Sequence, residues 1–284
     1  MKGLDKLRGK LLDYQGKSIF KFLIIAAIVF LSSLVFQLTA DSLPRIFNEV
    51  EILQFIAPLT PILGSLTILI IGFMLVYFFW RVRDKKLSKY GELAYQKSFK
   101  FVVTGIPMVL SIIVHSFIPT DFIIPFENHQ NLTYYLANPL SQILLNYSLV
   151  ILVIRIILFL LFTGLGITVV IRALKIFGID NMALVYVYYP KESTLQNHEI
   201  YSVIRHPTYH GLMLMLIGSI FLRFSIYSII YLSIFLIGIN IHLKFVEEKE
   251  LIERFGKGYK QYKKDVPAFL VRFKDFKKYL SFIF

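Results

Sequence analysis

The polar residues able to do chemistry gather at the two edges of one stretch, Tyr201 to Glu250. At its start stands Arg205-His206-Pro207-Thr208-Tyr209-His210-Gly211. Pro207 breaks helix continuity and orients the residues before it. His206 and Tyr209 present hydrogen-bonding groups around a turn. Gly211 lets a ligand or another helix come close to the backbone. At the far edge Glu247 and Glu248 directly follow an apolar segment. Adjacent helical residues point about 100° apart, so the two carboxylates cannot face one point. One is free to meet a cationic partner while the other pairs with Arg205, Lys244 or Arg254. If the two edges converge at a lipid–water boundary, they form a cradle that is half polar and half apolar. A ligand with a carboxylate, an amine and a flat aromatic group would fit it. A capped helix entry and an acidic helix start account for the same residues without any ligand.

Several chemistries are excluded or unsupported. The chain has no cysteine, which removes disulfides, thiolate ligands and cysteine nucleophiles. His198, His206, His210 and His242 follow no zinc spacing, and no HExxH occurs. No metal is expected. No GxGxxG or Walker sequence appears. The basic segments contain no nucleic-acid module, so no nucleic-acid partner is expected.

The elements that must position these groups are apolar. Of 284 residues, 56% are hydrophobic, with a net charge of +13. The basic residues cluster just beyond apolar segments, where they suit anionic headgroups and topology setting. Membrane spans are expected at about 19–38, 59–80 and 101–118 and within 140–171. Pro107 is expected to kink the third. Arg155 lies inside the fourth and should face the bundle, a water path or a ligand. Two shorter segments, about 210–222 and 225–242, read as a helical hairpin, with Gly211, Gly218 and Gly238 permitting close contact. Asn240 there is a second polar residue within an apolar run. The sequence Met182-Ala183-Leu184-Val185-Tyr186-Val187-Tyr188-Tyr189 reads as an interfacial strand or the start of a helix. The leader places Leu4, Leu7, Leu11 and Leu12 on one face of a short surface helix, or it frays.

The expected fold is an all-α polytopic bundle of about six membrane segments with an interfacial C-terminal helix. The charge pattern puts the leader, 81–100, 172–209 and the tail on one side, and the acidic loops 39–58 and 119–139 on the other. The positive-inside rule makes the basic side, with both termini, cytoplasmic. Two regions are expected: 1–139 with extra helices, and 140–284 as the core with its tail. Asn131-Leu132-Thr133 fits a glycosylation acceptor.

Taken together, Tyr201, Arg205, His206, Pro207, Tyr209 and Gly211, then Glu247, Glu248 and Leu251, form one pattern. Phe255-Gly256, Tyr259, Tyr262 and Pro267 complete it. The pattern resembles the isoprenylcysteine carboxyl methyltransferase and phospholipid methyltransferase family of integral membrane enzymes. The resemblance covers roughly 140–270. It departs at His198-Glu199-Ile200, where the family often has a Gly-Pro turn.

The resemblance implies S-adenosylmethionine as cofactor, bound between the cytosolic ends of the last helices and the tail. It implies cofactor contacts at Tyr201, His206, Pro207, Tyr209 and Gly211, with Glu247 near the cofactor's amino group. It places Arg205 and Glu248 at the reactive end. The acceptor would be a lipid or lipidated molecule entering from the bilayer. A prenylcysteine α-carboxylate comes first and a phospholipid amine second. The first three spans would shape the substrate entrance or form an extra domain. A NADPH-dependent membrane reductase and a non-catalytic membrane protein are the other readings. All rest on the His-Pro turn and the paired glutamates meeting around one cofactor-sized cavity.

Overall fold

The computed structural model describes residues 2–14, 16–127, 129, 131–140 and 148–284. Among these, all regular structure is helical. The first half contains α1 (Leu4–Gly9), α2 (Phe20–Ile46), α3 (Glu51–Ile56), α4 (Thr60–Arg81), α5 (Arg83–Tyr90), α6 (Ala94–His115) and α7 (Leu132–Ala137). The second half contains α8 (Leu149–Phe177), α9 (Ile179–Met182), α10 (Val185–Tyr188), α11 (Pro207–Arg223) and α12 (Ile226–His242). It closes with α13 (Glu248–Phe255), α14 (Lys257–Asp265) and α15 (Phe276–Ile283).

Among the described residues, five helical segments are long and apolar enough to cross a membrane: Gly16–Ile46, Thr60–Arg81, Arg83–His115, Leu149–Phe177 and Ile226–Phe255. Where a pair of short membrane segments is expected stand α11 and α12, of 17 residues each; only the second, continuous to Phe255, is among the five. They are joined through Phe224, in the left-handed conformation, and Ser225, which caps α12 in a capping box with Ser228. The start expected for the fourth span, residues 141–147, lies outside the described residues.

The bundle is built for lipid. In α2 the buried residues are Ser33, Gln37, Asp41, Ser42 and Pro44, while Leu23, Ile24 and Ile28 are exposed. The polar stripe faces inward because hydrocarbon offers no hydrogen bonds. Gln37 donates to Ser111 at 2.9 Å, and Asp41 lies 2.9 Å from His115 Nε2. These contacts join α2 to α6. The helix α2 also runs past the expected end of the first span, and Pro107 sits within an uninterrupted α6.

Small residues set the α8–α11 contact. A Cβ on Gly211 would lie 2.6 Å from Val170 Cγ2 and 2.8 Å from the Gly166 carbonyl. Arg155, buried in α8, donates to the carbonyls of Phe221 (3.1 Å) and Leu222 (2.7 Å). It thus places a cation at the C-terminal end of α11, where the helix dipole favours one. Asn240 donates to Leu236 within its own helix.

Contacts link loops that the charge pattern groups together. Lys10 pairs with Glu192, and Gln96 Oε1 accepts from the Asp13 amide. At the other end the Tyr227 hydroxyl donates to the Pro58 carbonyl at 2.9 Å, and Arg223 reaches the Ile118 carbonyl. The leader does not lie free. Leu7 and Leu11 are buried against Tyr95 and Phe99, and Leu12 alone of its apolar face is well exposed. Residues 182–189 form helical turns. Asn131 is the N-cap of α7, accepting from the Tyr134 amide at 2.7 Å.

Candidate active site

The tail folds back onto the loop that precedes α11. The Arg205 amide donates to the Pro267 carbonyl (2.9 Å) and the His206 amide to the Ala268 carbonyl (2.8 Å). Gly256, at φ 57°, makes the sharp turn that sends α14 back, a conformation glycine adopts without steric cost. His210 then ties the following segment, lying 2.7 Å from the Phe269 carbonyl and 2.9 Å from the Tyr279 hydroxyl.

A turn of π-helix, Leu243–Glu247, connects α12 to α13. A π turn closes on the fifth residue, so it brings His242 and Glu247 onto one side; such turns are frequent at functional sites. His242 Nε2 lies 3.7 Å from Glu247 Oε2. The Tyr209 hydroxyl donates to that same oxygen at 2.7 Å, and His206 Nδ1 lies 3.2 Å from Oε1. The His206 and Tyr209 rings stack, 5.8 Å between centroids.

Glu248 points elsewhere, as the 100° step requires. Arg205 donates through Nε (3.1 Å) and Nη2 (2.5 Å) to Glu248 Oε1, and through Nη1 to the carbonyls of Lys263 (2.9 Å) and Val266. Lys263 Nζ meets the other Glu248 oxygen at 2.5 Å, and the Tyr259 hydroxyl reaches Oε1 at 3.4 Å. His206 Nε2, 3.4 Å from Glu248, stands between the two carboxylates. Burial alone would depress the pKa of His206, but Glu247 and Glu248 outweigh it and the pKa is raised.

These groups border a cavity of about 320 Å³, within the ~300–1,000 Å³ usual for small-molecule sites. Tyr201, Arg205, His206, Pro207, Tyr209 and Glu247 line it. Glu248 and Gly211 do not: Glu248 clasps the tail, and Gly211 is covered by α8. The apolar wall draws on the first half of the chain, through Phe73, Val76 and Trp80 of α4 and Ile106, Val109 and Leu110 of α6, as well as on the second, through Val170, Leu212, Phe235 and Ile239. His242 stacks on Phe73 (5.3 Å) and meets Trp80 edge-on (5.6 Å). The expected division at residue 139 therefore does not divide the cavity, which draws on both regions.

Sequence reasoning weighed His242 only as a metal ligand and gave Phe73 and Trp80 no part in the site. No local signal pointed to the five-residue step from His242 to Glu247, which α-helical periodicity does not align. Arg155 and Asn240 do not line the cavity. Among the described residues, no group of three or more His, Asp or Glu is placed to hold a metal. The departure at 198–200 has a structural counterpart: Glu199 takes φ 48°, the region glycine favours.

A family model for phospholipid methyltransferases matches residues 154–258. The matched segment spans 105 of the 284 residues. It carries α8 to α13, the His-Pro turn and both glutamates, and the match supports a membrane methyltransferase. No curated protein and no solved structure matches the chain.

The donor set suits a sulfonium nucleoside. Glu247 supplies a carboxylate for an ammonium group or for the sulfonium charge, and Phe73, Trp80 and Tyr209 supply aromatic faces that attract cations.

Proposed function

We propose that this protein uses S-adenosylmethionine to methylate a lipid-borne acceptor, and that the acceptor atom is a phospholipid amine. The observation that carries this is the charge balance of the cavity wall. Both guanidinium groups there are already paired, Arg205 with Glu248 and Arg254 with Glu250, and no lysine lines it among the described residues. A prenylcysteine carboxylate, the acceptor class favoured by sequence, would find no uncommitted cation to steer it. An amine meets Glu247 and His242 instead.

S-adenosylmethionine, when bound, supplies an electrophilic methyl group on a sulfonium. This chain's residues have to orient, shield and move one proton. Tyr209 and His206 fix the Glu247 carboxylate so that its charge is presented to the cavity without rotamer search. An amine nucleophile must shed a proton as its bond to carbon forms. His242 lines the cavity next to Glu247 and is placed to take it. The α4 and α6 residues keep the acyl chains in an apolar wall. Arg205 and Glu248 act as positioning residues that hold the tail closed over the site. The basic ends, with both termini, face the cytoplasm, so the cofactor enters from there and the acceptor from the bilayer.

The test is methyl transfer by the purified full-length chain from labelled S-adenosylmethionine. Phosphatidylethanolamine and a farnesylated cysteine are offered separately, with Glu247→Gln as the variant. The expected result is label in the phospholipid and a loss of at least ~100-fold in Glu247→Gln, the range for removing one preorganised electrostatic group. Label in the farnesylcysteine alone would sink the amine assignment. No transfer, together with a thermal shift from NADPH but none from S-adenosylhomocysteine, would replace the whole reading by a reductase.

A further inference from the structure

The cavity continues beyond its apolar wall. A second chamber of about 360 Å³ adjoins it, and Phe177, Asn181, Tyr186, Thr194 and Gln196 line both. Its roof is the leader, through Lys2, Gly3, Asp5 and Lys6. The leader is seated by specific bonds. The Ile179 amide donates to the Lys2 carbonyl at 3.0 Å, and the Lys2 ammonium reaches the Ile176 carbonyl. Lys10 pairs with Glu192 at 2.6 Å and lies 3.7 Å over the Tyr189 ring. Gly3 has φ 79°, and a Cβ there would fall 1.7 Å from Asp180 Oδ1, so this close seat needs glycine.

The two chambers differ in whether their polar side-chain atoms are partnered. Around Glu247 the polar side chains bond to one another or to the tail. At the leader chamber, two buried acceptors have no donor: Asp180 Oδ1 and Gln196 Oε1. Asp180 is 3% exposed. Its other oxygen takes the Tyr186 hydroxyl, which in turn accepts from Lys6 at 3.2 Å. A buried acceptor without a donor carries an uncompensated desolvation cost. Among the described residues, one other wall atom is in this position, Trp80 Nε1, and it is a donor. It cannot receive hydroxyl hydrogens.

We propose that this chamber takes the vicinal ribose hydroxyls of the nucleoside cofactor, with Asp180 and Gln196 as acceptors and the leader as roof. The inference rests on the S-adenosylmethionine reading above. A carboxylate accepting from a sugar hydroxyl is a recurrent solution for holding ribose. Here the leader, which lies outside the matched segment, would complete the site.

Isothermal titration of the full-length chain tests this with two probes, S-adenosylhomocysteine and its 2′,3′-dideoxyribose analogue. The wild type should bind the dideoxy analogue about tenfold to hundredfold more weakly than the parent. Asp180→Asn should lose a similar factor for the parent, and Gln196→Leu about fivefold. Neither should change affinity for the analogue. Gln196 sits in a loop, so its variant remains informative if Asp180→Asn fails to fold. Wild-type binding with unchanged parent affinity in Gln196→Leu overturns the ribose assignment alone. Equal losses for both probes also overturn it. If the wild type binds no S-adenosylhomocysteine, the cofactor reading itself fails.

Discussion

Arg205→Ala tests whether the tail is held by one charged clasp. The side chain makes two bonds to Glu248 and two to the carbonyls of Lys263 and Val266. Both charged side chains are over nine-tenths buried, at 7% and 8% exposure. Removing one partner of a buried pair costs about 3–5 kcal/mol, because the other charge is left uncompensated. Here Glu248 keeps Lys263 at 2.5 Å and Tyr259 at 3.4 Å, so about 3 kcal/mol is the better expectation. At ~1.4 kcal/mol per tenfold, the tail's opening equilibrium rises roughly 150-fold. The tail carries Lys257, Lys260, Lys263, Lys264 and Arg272, all trypsin sites. Where reclosing outruns cleavage, the cleavage rate follows the open population. Limited trypsin digestion of the full chain in detergent should therefore cut the Arg205→Ala tail about two orders of magnitude faster than wild type. Arg205→Lys should fall between them, since lysine cannot reproduce the two-pronged contact. Arg205→Ala and Glu248→Ala should also be strongly non-additive when combined. Cleavage within threefold of wild type, or additive effects, would refute the clasp.

Two further outcomes follow from the geometry. The raised pKa of His206 means that its contribution to stability is full below the unfolded value near 6.5 and disappears as pH rises through the higher folded value. The thermal midpoint of wild type minus that of His206→Gln should thus be largest below about pH 6 and shrink toward alkaline pH; a difference independent of pH would show that the imidazolium is not held. Gly211→Val should destabilise the chain by about 1–3 kcal/mol through α8, given the 2.6 Å approach to Val170. The surviving folded fraction should bind S-adenosylhomocysteine with wild-type affinity, and a selective loss of binding without loss of stability would return Gly211 to the cofactor.

What could be read from sequence was what short-range geometry dictates. Pro207 fixes the turn before α11, and two adjacent glutamates on a helix must diverge, so one goes to the cavity and one to Arg205. The alternation of apolar runs with basic clusters groups the leader with residues 172–209, and the Lys10–Glu192 pair links those two segments. Gly211 was ambiguous for a physical reason: a missing side chain admits a ligand and a helix equally, and only the position of α8 decides. The turns at 182–189 were ambiguous because a short aromatic run carries no period long enough to separate strand from helix. The π turn at Leu243–Glu247 was invisible, since nothing in α-helical periodicity would align residues five apart. Phe73 and Trp80 reach His242 from a helix more than 150 residues earlier in the chain, and no local rule links them. Glu199 shows the converse case. A residue that departs from the family's glycine nonetheless sits at φ 48°, so the turn is imposed by what surrounds it: Ile200 and Tyr201 buried on one side, and the tail, through Tyr262 donating to the Tyr201 carbonyl at 2.6 Å, on the other. Tyr262, which makes this contact, also lines the cavity, so the His-Pro loop and the cavity wall share a support some sixty positions downstream.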